Sequence, residues 1–238
     1  MIKFAKERVN LICNQLKGWS IVQKVHLDSM RVKEGCFITP TEADAAPGEW
    51  KNFDMGKDHW YGPDRHYWFR TVFTIPEEYD GKGLWLRIRT QIEEWDDAKN
   101  PQFLVFLNGE VVQGADMNHR EVLLSEAATA GETVTVDLQA YSGTLHPEFR
   151  LMADVEEVSQ PVKDLYYDIQ VPLWAMDRMD QEGKTAIDIL TVLNDTISLL
   201  DLRDVHSDDF YRSVEAARAY IAKALYEDLA GDDTGIAT

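Results

Sequence analysis

Apolar and polar side chains alternate with a period of two along several short stretches in the middle of the chain. This alternation is typical of β-strands with one face on a core and the other nearer water. Asn108-Gly109 lies between two such stretches and predicts a tight hairpin, because a type I′ turn needs positive φ at both central residues. Strands that follow one another without crossover helices pair antiparallel, so we predict a β-sandwich or jelly roll and exclude a parallel sheet. The predicted strands cover residues 67–75, 84–92, 103–107, 110–113, 133–140 and 149–156.

Both ends of the chain have the apolar period of a helix instead. Residues 2–17 place apolar side chains on one helical face, and Gly18 follows where a C-cap is expected. Three more helices are predicted near the C-terminus, at 162–178 (interrupted or kinked at Pro172), 184–201 and 208–229. Ser207 is the expected N-cap of the helix at 208–229. The predicted apolar stripe of this helix consists of Phe210, Val214, Ala217, Ile221, Leu225 and Leu229.

The segment between the first helix and Arg65 is rich in glycine and proline. We expect irregular loops there, with one or two short strands such as 35–39. The whole chain is therefore expected to be mainly β with helices: an antiparallel sandwich between an N-terminal helix and a C-terminal helical connector. The expected segments are 1–30 (helix and extension), 31–158 (sandwich), 159–230 (connector) and 231–238 (mobile tail).

Composition narrows the classes of function. The 238 residues are 45% hydrophobic and carry a formal net charge of −18, which argues against binding nucleic acid or anionic lipid. No apolar run approaches the ~20 residues of a membrane span, and the N-terminus lacks the apolar core of a secretory signal. Two cysteines, Cys13 and Cys36, cannot form a disulfide framework. We therefore expect a cytoplasmic protein.

Aromatic, histidine and charged residues cluster at 58–68. Tryptophan and tyrosine rings stack on the C–H faces of sugars, but they also pin loops to domain surfaces, and the second interpretation is favoured about two to one. A second cluster, residues 93–97, surrounds a tryptophan with four acids. The resulting sugar- or interface-binding candidates are Trp60, Tyr61, Arg65, His66 and Trp95.

Neither cluster predicts catalysis or a metal site. His59, Asp64 and His66 lack the paired spacing of zinc ligands, so no metal ligand is assigned. Glycoside hydrolysis needs two facing carboxylates, whereas the acids at 93–97 are neighbours in sequence; a charged loop is the default there and a calcium site a minor alternative. The sequence also lacks a Gly-x-Ser-x-Gly elbow and a glycine-rich phosphate loop. No residue is therefore assigned a catalytic role.

Three strand motifs resemble galactose-binding-like jelly-roll domains, which occur as non-catalytic modules beside glycoside hydrolase domains. They are Trp68-Phe69-Arg70-x-x-Phe73-x-Ile75-Pro76, Gly83-Leu84-Trp85-Leu86-Arg87 and Val105-Phe106-Leu107-Asn108-Gly109.

Almost the whole chain, to about residue 230, resembles the N-terminal region of class II α-mannosidases of the cytosolic or bacterial type, glycoside hydrolase family thirty-eight. The motifs are the opening helix, the stretch from Trp50 to Pro63, His146-Pro147-Glu148, Pro161-Val162-x-x-Leu165-Tyr166-Tyr167-Asp168 and Phe210-Tyr211-x-Ser213-Val214-x-x-Ala217. The last two resemble a connector into the catalytic domain. The family's His-x-Asp metal motif has no counterpart here, so its catalytic residues are not carried over to any position.

The resemblance implies a scaffold whose partner is a catalytic domain of the same polypeptide. That domain is expected to hold a divalent metal, zinc, while this chain needs no cofactor. It also implies that the C-terminal helices expose an apolar stripe for that domain. Two alternatives stay open: a carbohydrate-binding module that uses the jelly-roll loops to bind a glycan, and an element that assembles a homo-oligomer.

Overall fold

The computed structural model describes residues 2–90, 101–144, 148–180 and 182–229. It divides into two compact units: residues 23–157 form a β unit, and residues 1–22 with 158–238 form a helical unit. The helices are α1 (Ile2–Trp19), α2 (Pro40–Ala45), α3 (Gln160–Met176), α4 (Lys184–Ser198) and α5 (Asp208–Ile221), the last continuing as a π-helical segment, Ala222–Leu229. The strands are β1 (Ile21–Leu27), β2 (Ser29–Glu34), β3 (Lys51–Asp54), β4 (Trp60–Tyr61), β5 (His66–Thr74), β6 (Leu84–Arg89), β7 (Gln102–Leu107), β8 (Glu110–Ala115), β9 (Glu121–Ser125), β10 (Thr133–Tyr141), β11 (Glu148–Phe149) and β12 (Met152–Val158).

Two main sheets make the β unit a sandwich. One sheet has the order β1-β12-β6-β9, the other β3-β2-β5-β10-β7-β8, and β11 pairs with β4 in a short ribbon. The residue registers of β5, β7, β10 and their neighbours are antiparallel. The predicted mainly-β sandwich with helices is therefore confirmed.

The core between the sheets is built from alternate residues of both. Phe69, Leu138 and Val105 enter it from the six-stranded sheet, and Leu86 and Val155 enter it from the other. This alternation is the one predicted from sequence. The hairpin between β7 and β8 is also confirmed, because Asn108 and Gly109 have φ of 52° and 87°.

The outer face of the six-stranded sheet is covered in part by residues 35–50, including α2. Ala43 packs there against Trp68 and Phe106. The Lys33 ammonium, almost fully buried, donates to the carbonyl oxygens of Ala43 and Ala46 at 2.7 and 2.8 Å. Residues 35–39, predicted to be a strand, are not one; the strand ends at Glu34. That prediction was wrong because the chain leaves the β2 direction at Gly35, which has a φ of 154°, and Phe37 packs on the outer face of the sheet instead of extending it.

The helical unit has its own core. The α1 face of Val9, Cys13 and Leu16 is buried in one cluster with residues of α3, α4 and α5. Residues 1–22 thus belong to the same compact unit as the C-terminal helices rather than forming a separate extension. α1 includes Gly18, the expected C-cap, and ends instead where the Ser20 amide donates to the Leu16 carbonyl at 2.9 Å.

The three predicted C-terminal helices are present. α3 contains Pro172, as expected, and α4 ends at Ser198, short of the predicted 201. The Ser207 hydroxyl accepts from the Phe210 amide, which confirms the N-cap of α5. The predicted α5 stripe is buried at Phe210, Val214, Ala217, Ile221 and Leu225. The side chain of Leu229 and the expected tail at 231–238 lie outside the described residues.

Candidate functional site

Trp60, the first sugar-stacking candidate, is a core residue. Its side chain is 2% exposed. The indole packs against the rings of Phe149, Tyr67 and Phe69, with centroid distances of 4.9, 5.4 and 5.5 Å. With the ring enclosed by aromatic neighbours, no face remains for a sugar, and Trp60 acts in packing.

The loop that follows Trp60 is tied to the end of β10 by a buried serine. The Ser142 hydroxyl donates to the Gly62 carbonyl at 2.6 Å and accepts from the Arg65 amide at 2.9 Å. The Asp64 amide donates to the Gly143 carbonyl at 2.7 Å. Asp64 has a φ of 56°, so these bonds hold a backbone conformation that non-glycine residues rarely adopt. This geometry matches the pinned-loop interpretation of 58–68.

The other candidates of this segment stay near the surface. Tyr61 is 64% exposed, and its carbonyl accepts from the Tyr67 hydroxyl at 2.8 Å. The Arg65 guanidinium lies 3.3 Å from Glu34 Oε1, an exposed pair. His66 is half-buried and stacks on Tyr141. Trp95 and the acids at 93–97 lie outside the described residues.

The histidines and acids around this loop do not come together as metal ligands. His59 Nε2 accepts from Arg150 Nε at 3.0 Å, and its Nδ1 lies 3.6 Å from Glu148 Oε1. Both ring nitrogens therefore face groups of the β4–β11 region, and these contacts orient the imidazole. Across the described ranges, no group of three or more His, Cys, Asp or Glu side chains could hold a metal ion.

An open depression of about 230 Å³ lies on the outer face of the six-stranded sheet. The register pairs Tyr141 with His66 on one side and Gln102 on the other, and it pairs Gln139 with Leu104 in the next row. Cross-strand partners in an antiparallel sheet project from the same face, so these five side chains share one surface. Sequence analysis found His66 alone, because the register that joins the three strands is not visible in the sequence.

Hydrogen bonds fix the walls of this depression. The rings of His66 and Tyr141 are 5.0 Å apart and inclined by 33°. The Tyr141 hydroxyl donates to Asp64 Oδ1 at 3.1 Å, and this hydrogen bond raises the pKa of the phenol above its ordinary value. Gln139 Nε2 donates to the Phe37 carbonyl at 2.5 Å. The depression therefore combines a packed aromatic pair with fixed polar groups.

Buried acids elsewhere in the β unit are balanced by arginines. Glu156 accepts from Arg87 Nε at 2.9 Å, and Asp154 accepts from Arg89 at 2.5 Å and faces His26 Nδ1 at 2.8 Å. These acids are at most 2% exposed. Burying an acid without polar partners is costly, so these arginines satisfy the two carboxyl groups and the cluster has a structural role.

Asp137, in β10, is a third buried acid and lies on the outer face of the six-stranded sheet. Its Oδ1 accepts from Arg70 Nε at 2.5 Å, and Arg70 also donates to Asp44 at 2.8 Å. The pKa of Asp137 is raised above its ordinary value because burial penalises the charged form more than Arg70 favours it. This position is 1% exposed, so it is closed to a substrate.

The chain shows only limited similarity to known proteins. No protein-family model matches the sequence, and no curated protein matches it. Among solved structures, the chain is similar to a β-glucuronidase of Ruminococcus gnavus, with 16% identity over 58% of this chain and 29% of that one and a TM-score of 0.38. It is also similar to a putative β-galactosidase from Bacteroides fragilis, with 15% identity over 57% of this chain and 23% of that one and a TM-score of 0.38. The matched region spans less than a third of either structure.

Within the described part of the chain, no helix combines the length and the apolar composition that crossing a membrane requires.

Proposed function

We propose that this chain is a non-catalytic accessory region of a glycoside hydrolase of the class II α-mannosidase type. It acts as a scaffold on which a catalytic domain of the same polypeptide packs. That domain breaks the glycosidic bond of the substrate and holds the divalent metal, zinc in this proposal. The chain described here contributes the supporting surface.

The observation that carries the proposal is an exposed apolar stripe on α3. Tyr167, Val171 and Trp174 are 47%, 53% and 59% exposed. Their spacing of four and three residues places them on one face of the helix. Aromatic residues in such a patch are typical of protein interaction sites.

The opposite face of α3 is also apolar. Leu165, Ile169 and Leu173 are buried in the core of the helical unit. A helix that is apolar on both faces is normally buried on both. The outward stripe is therefore suited to contact a further protein surface.

The position of the stripe supports a catalytic domain as its occupant. Tyr167 belongs to the motif Pro161–Asp168, which lies within α3 and resembles the connector into the mannosidase catalytic domain. The element expected to lead into that domain is thus the element that presents the stripe.

The test compares Val171→Ala and Trp174→Ala in two polypeptides: the 238-residue chain, and the same chain extended through the proposed catalytic domain. Both substitutions should leave the thermal midpoint of the short chain nearly unchanged, since exposed substitutions usually act within about 0.5 kcal/mol. In the extended polypeptide both should lower the midpoint. Val72 is 59% exposed on the sandwich, and Val72→Ala is the matched control. It should leave the thermal midpoint of both polypeptides unchanged.

Two results would overturn this proposal. One is an extended polypeptide whose stability is indifferent to both α3 substitutions. The other is light scattering that shows a dimer of the short chain abolished by Trp174→Ala, because a second copy would then be the occupant of the stripe.

A further inference from the structure

We propose that the depression lined by His66, Gln102, Leu104, Gln139 and Tyr141 is a binding site for one neutral pyranose ring of a glycan. The site lies on the outer face of the six-stranded sheet, not on the loops that the sequence indicated. It stands on the geometry of this sheet alone and does not depend on the scaffold proposed for the helical unit.

Stacking is the first part of the argument. The Tyr141 phenol and the His66 imidazole are both half-buried and pack against each other, with ring centroids 5.0 Å apart and planes inclined by 33°. The hydrogen bond from the Tyr141 hydroxyl to Asp64 Oδ1 fixes the orientation of the phenol ring. A ring with one apolar face and a fixed orientation suits the C–H face of a sugar, since little side-chain entropy is lost on binding.

The polar groups match hydroxyls rather than charges. Gln139 Nε2 is committed to the Phe37 carbonyl, which fixes the amide so that Oε1 is the acceptor available to a ligand. The exposed Gln102 amide offers both a donor and an acceptor. A sugar hydroxyl both donates and accepts, so two amides on adjacent strands can bind neighbouring hydroxyls.

Size and charge restrict the ligand further. At about 230 Å³ the depression is below the ~300–1,000 Å³ of sites for drug-sized ligands, which fits a single ring with the rest of the glycan in solvent. The Asp64 carboxylate accepts a hydrogen bond from the Tyr141 hydroxyl, and the chain carries a net charge of −18. An acidic sugar is therefore disfavoured relative to its neutral counterpart.

The experiment uses saturation-transfer-difference NMR on the 238-residue chain with mannobiose, galactobiose and cellobiose at millimolar concentration. At least one of them should receive saturation at its ring C–H protons. Glucuronic acid should bind at least roughly tenfold more weakly than the best neutral sugar, a difference of about 1.4 kcal/mol.

Substitutions locate the site. Tyr141→Ala should abolish the transfer, and Tyr141→Phe, which keeps the ring, should retain it. Gln102→Ala should weaken binding by about threefold to tenfold, the equivalent of one hydrogen bond. Because Gln102 is exposed, this variant keeps the test valid if Tyr141→Ala does not fold. Gln15→Ala, which removes an exposed glutamine from α1, is the matched control and should bind as the unchanged chain does.

Two results would overturn the proposal. One is the absence of saturation transfer to all three neutral disaccharides. The other is transfer that Gln102→Ala and Tyr141→Ala retain with unchanged affinity, because the sugar would then bind elsewhere.

Discussion

Trp60 and Phe149 are direct cross-strand partners in the ribbon of β4 and β11, and their rings lie 4.9 Å apart, inclined by 38°. Both side chains are at most 2% exposed. The next residue, Tyr61, points the other way and is 64% exposed. Adjacent aromatic residues in one short strand therefore have opposite roles, one in the core and one on the surface.

This contrast gives the first prediction. Trp60→Ala should lower the free energy of unfolding by about 3–5 kcal/mol, because it leaves a large cavity among packed rings. Tyr61→Ala should change it by no more than about 0.5 kcal/mol. Urea denaturation of both variants followed by circular dichroism measures the difference. Equal losses of stability would contradict the placement of Trp60 in the core.

The two cysteines should differ in reactivity. Burial raises the pKa of the Cys13 thiol to about 11, so almost no thiolate is present at neutral pH, whereas Cys36 is exposed. Ellman's reagent at pH 7.5 should titrate one thiol in the folded chain and two after denaturation. Cys36→Ser, the control, should leave none in the folded chain. Rapid reaction of Cys13 in that variant would show that the α1 face is open.

The raised pKa of Asp137 predicts a pH dependence of stability. Between its ordinary value of 3.8 and the higher folded value, the native state binds more protons at this group than the unfolded state does. The contribution of Asp137 to stability is therefore present in acid and falls as the pH rises through this window.

Asp137→Asn removes that dependence. The stability of the unchanged chain minus that of Asp137→Asn should decrease from pH 3 to pH 7 in denaturant titrations. Asp44→Asn removes the exposed carboxylate bound to the same Arg70 and is the control. A difference for Asp137→Asn that rises across this range would mean that Arg70, not burial, dominates the pKa.

The β7–β8 turn provides a backbone test. Gly109 has a φ of 87°, so Gly109→Ala should destabilise the chain by about 1 kcal/mol. Gly18, within α1, has open space around the position of an added Cβ. Gly18→Ala should therefore be neutral or stabilising by a few tenths of a kcal/mol. A thermal midpoint that Gly109→Ala leaves unchanged or raises would contradict the turn assignment, and Gly18→Ala is the control for the loss of a glycine.

Sequence analysis predicted the elements whose pattern is local. The β5 and β10 strands, the Asn108-Gly109 hairpin and the α5 stripe follow from periodicity and turn chemistry. β2 was missed because Lys33, a charged residue, is buried there, and its carbonyl partners come from Ala43 and Ala46. No local pattern contains that contact.

The roles of the candidate site residues could not be separated from the sequence, for a related reason. Aromatic content alone does not distinguish a ring that stacks on a ligand from one that packs in a core, so Trp60 and Tyr61 looked equivalent. The sheet-face depression depends on Gln102, Gln139 and His66 coming together from three strands. Alternation predicts which face each residue occupies, but only the register shows that they are neighbours.

We propose that the bond-breaking groups belong to a catalytic domain outside these 238 residues. Hydrolysis of 4-nitrophenyl α-mannoside, measured for this chain and for the polypeptide extended through that domain, tests it most directly. We predict turnover by the extended polypeptide and none by the chain itself. Turnover by the chain alone, or an extended polypeptide with no activity on α-mannosides, would contradict the account.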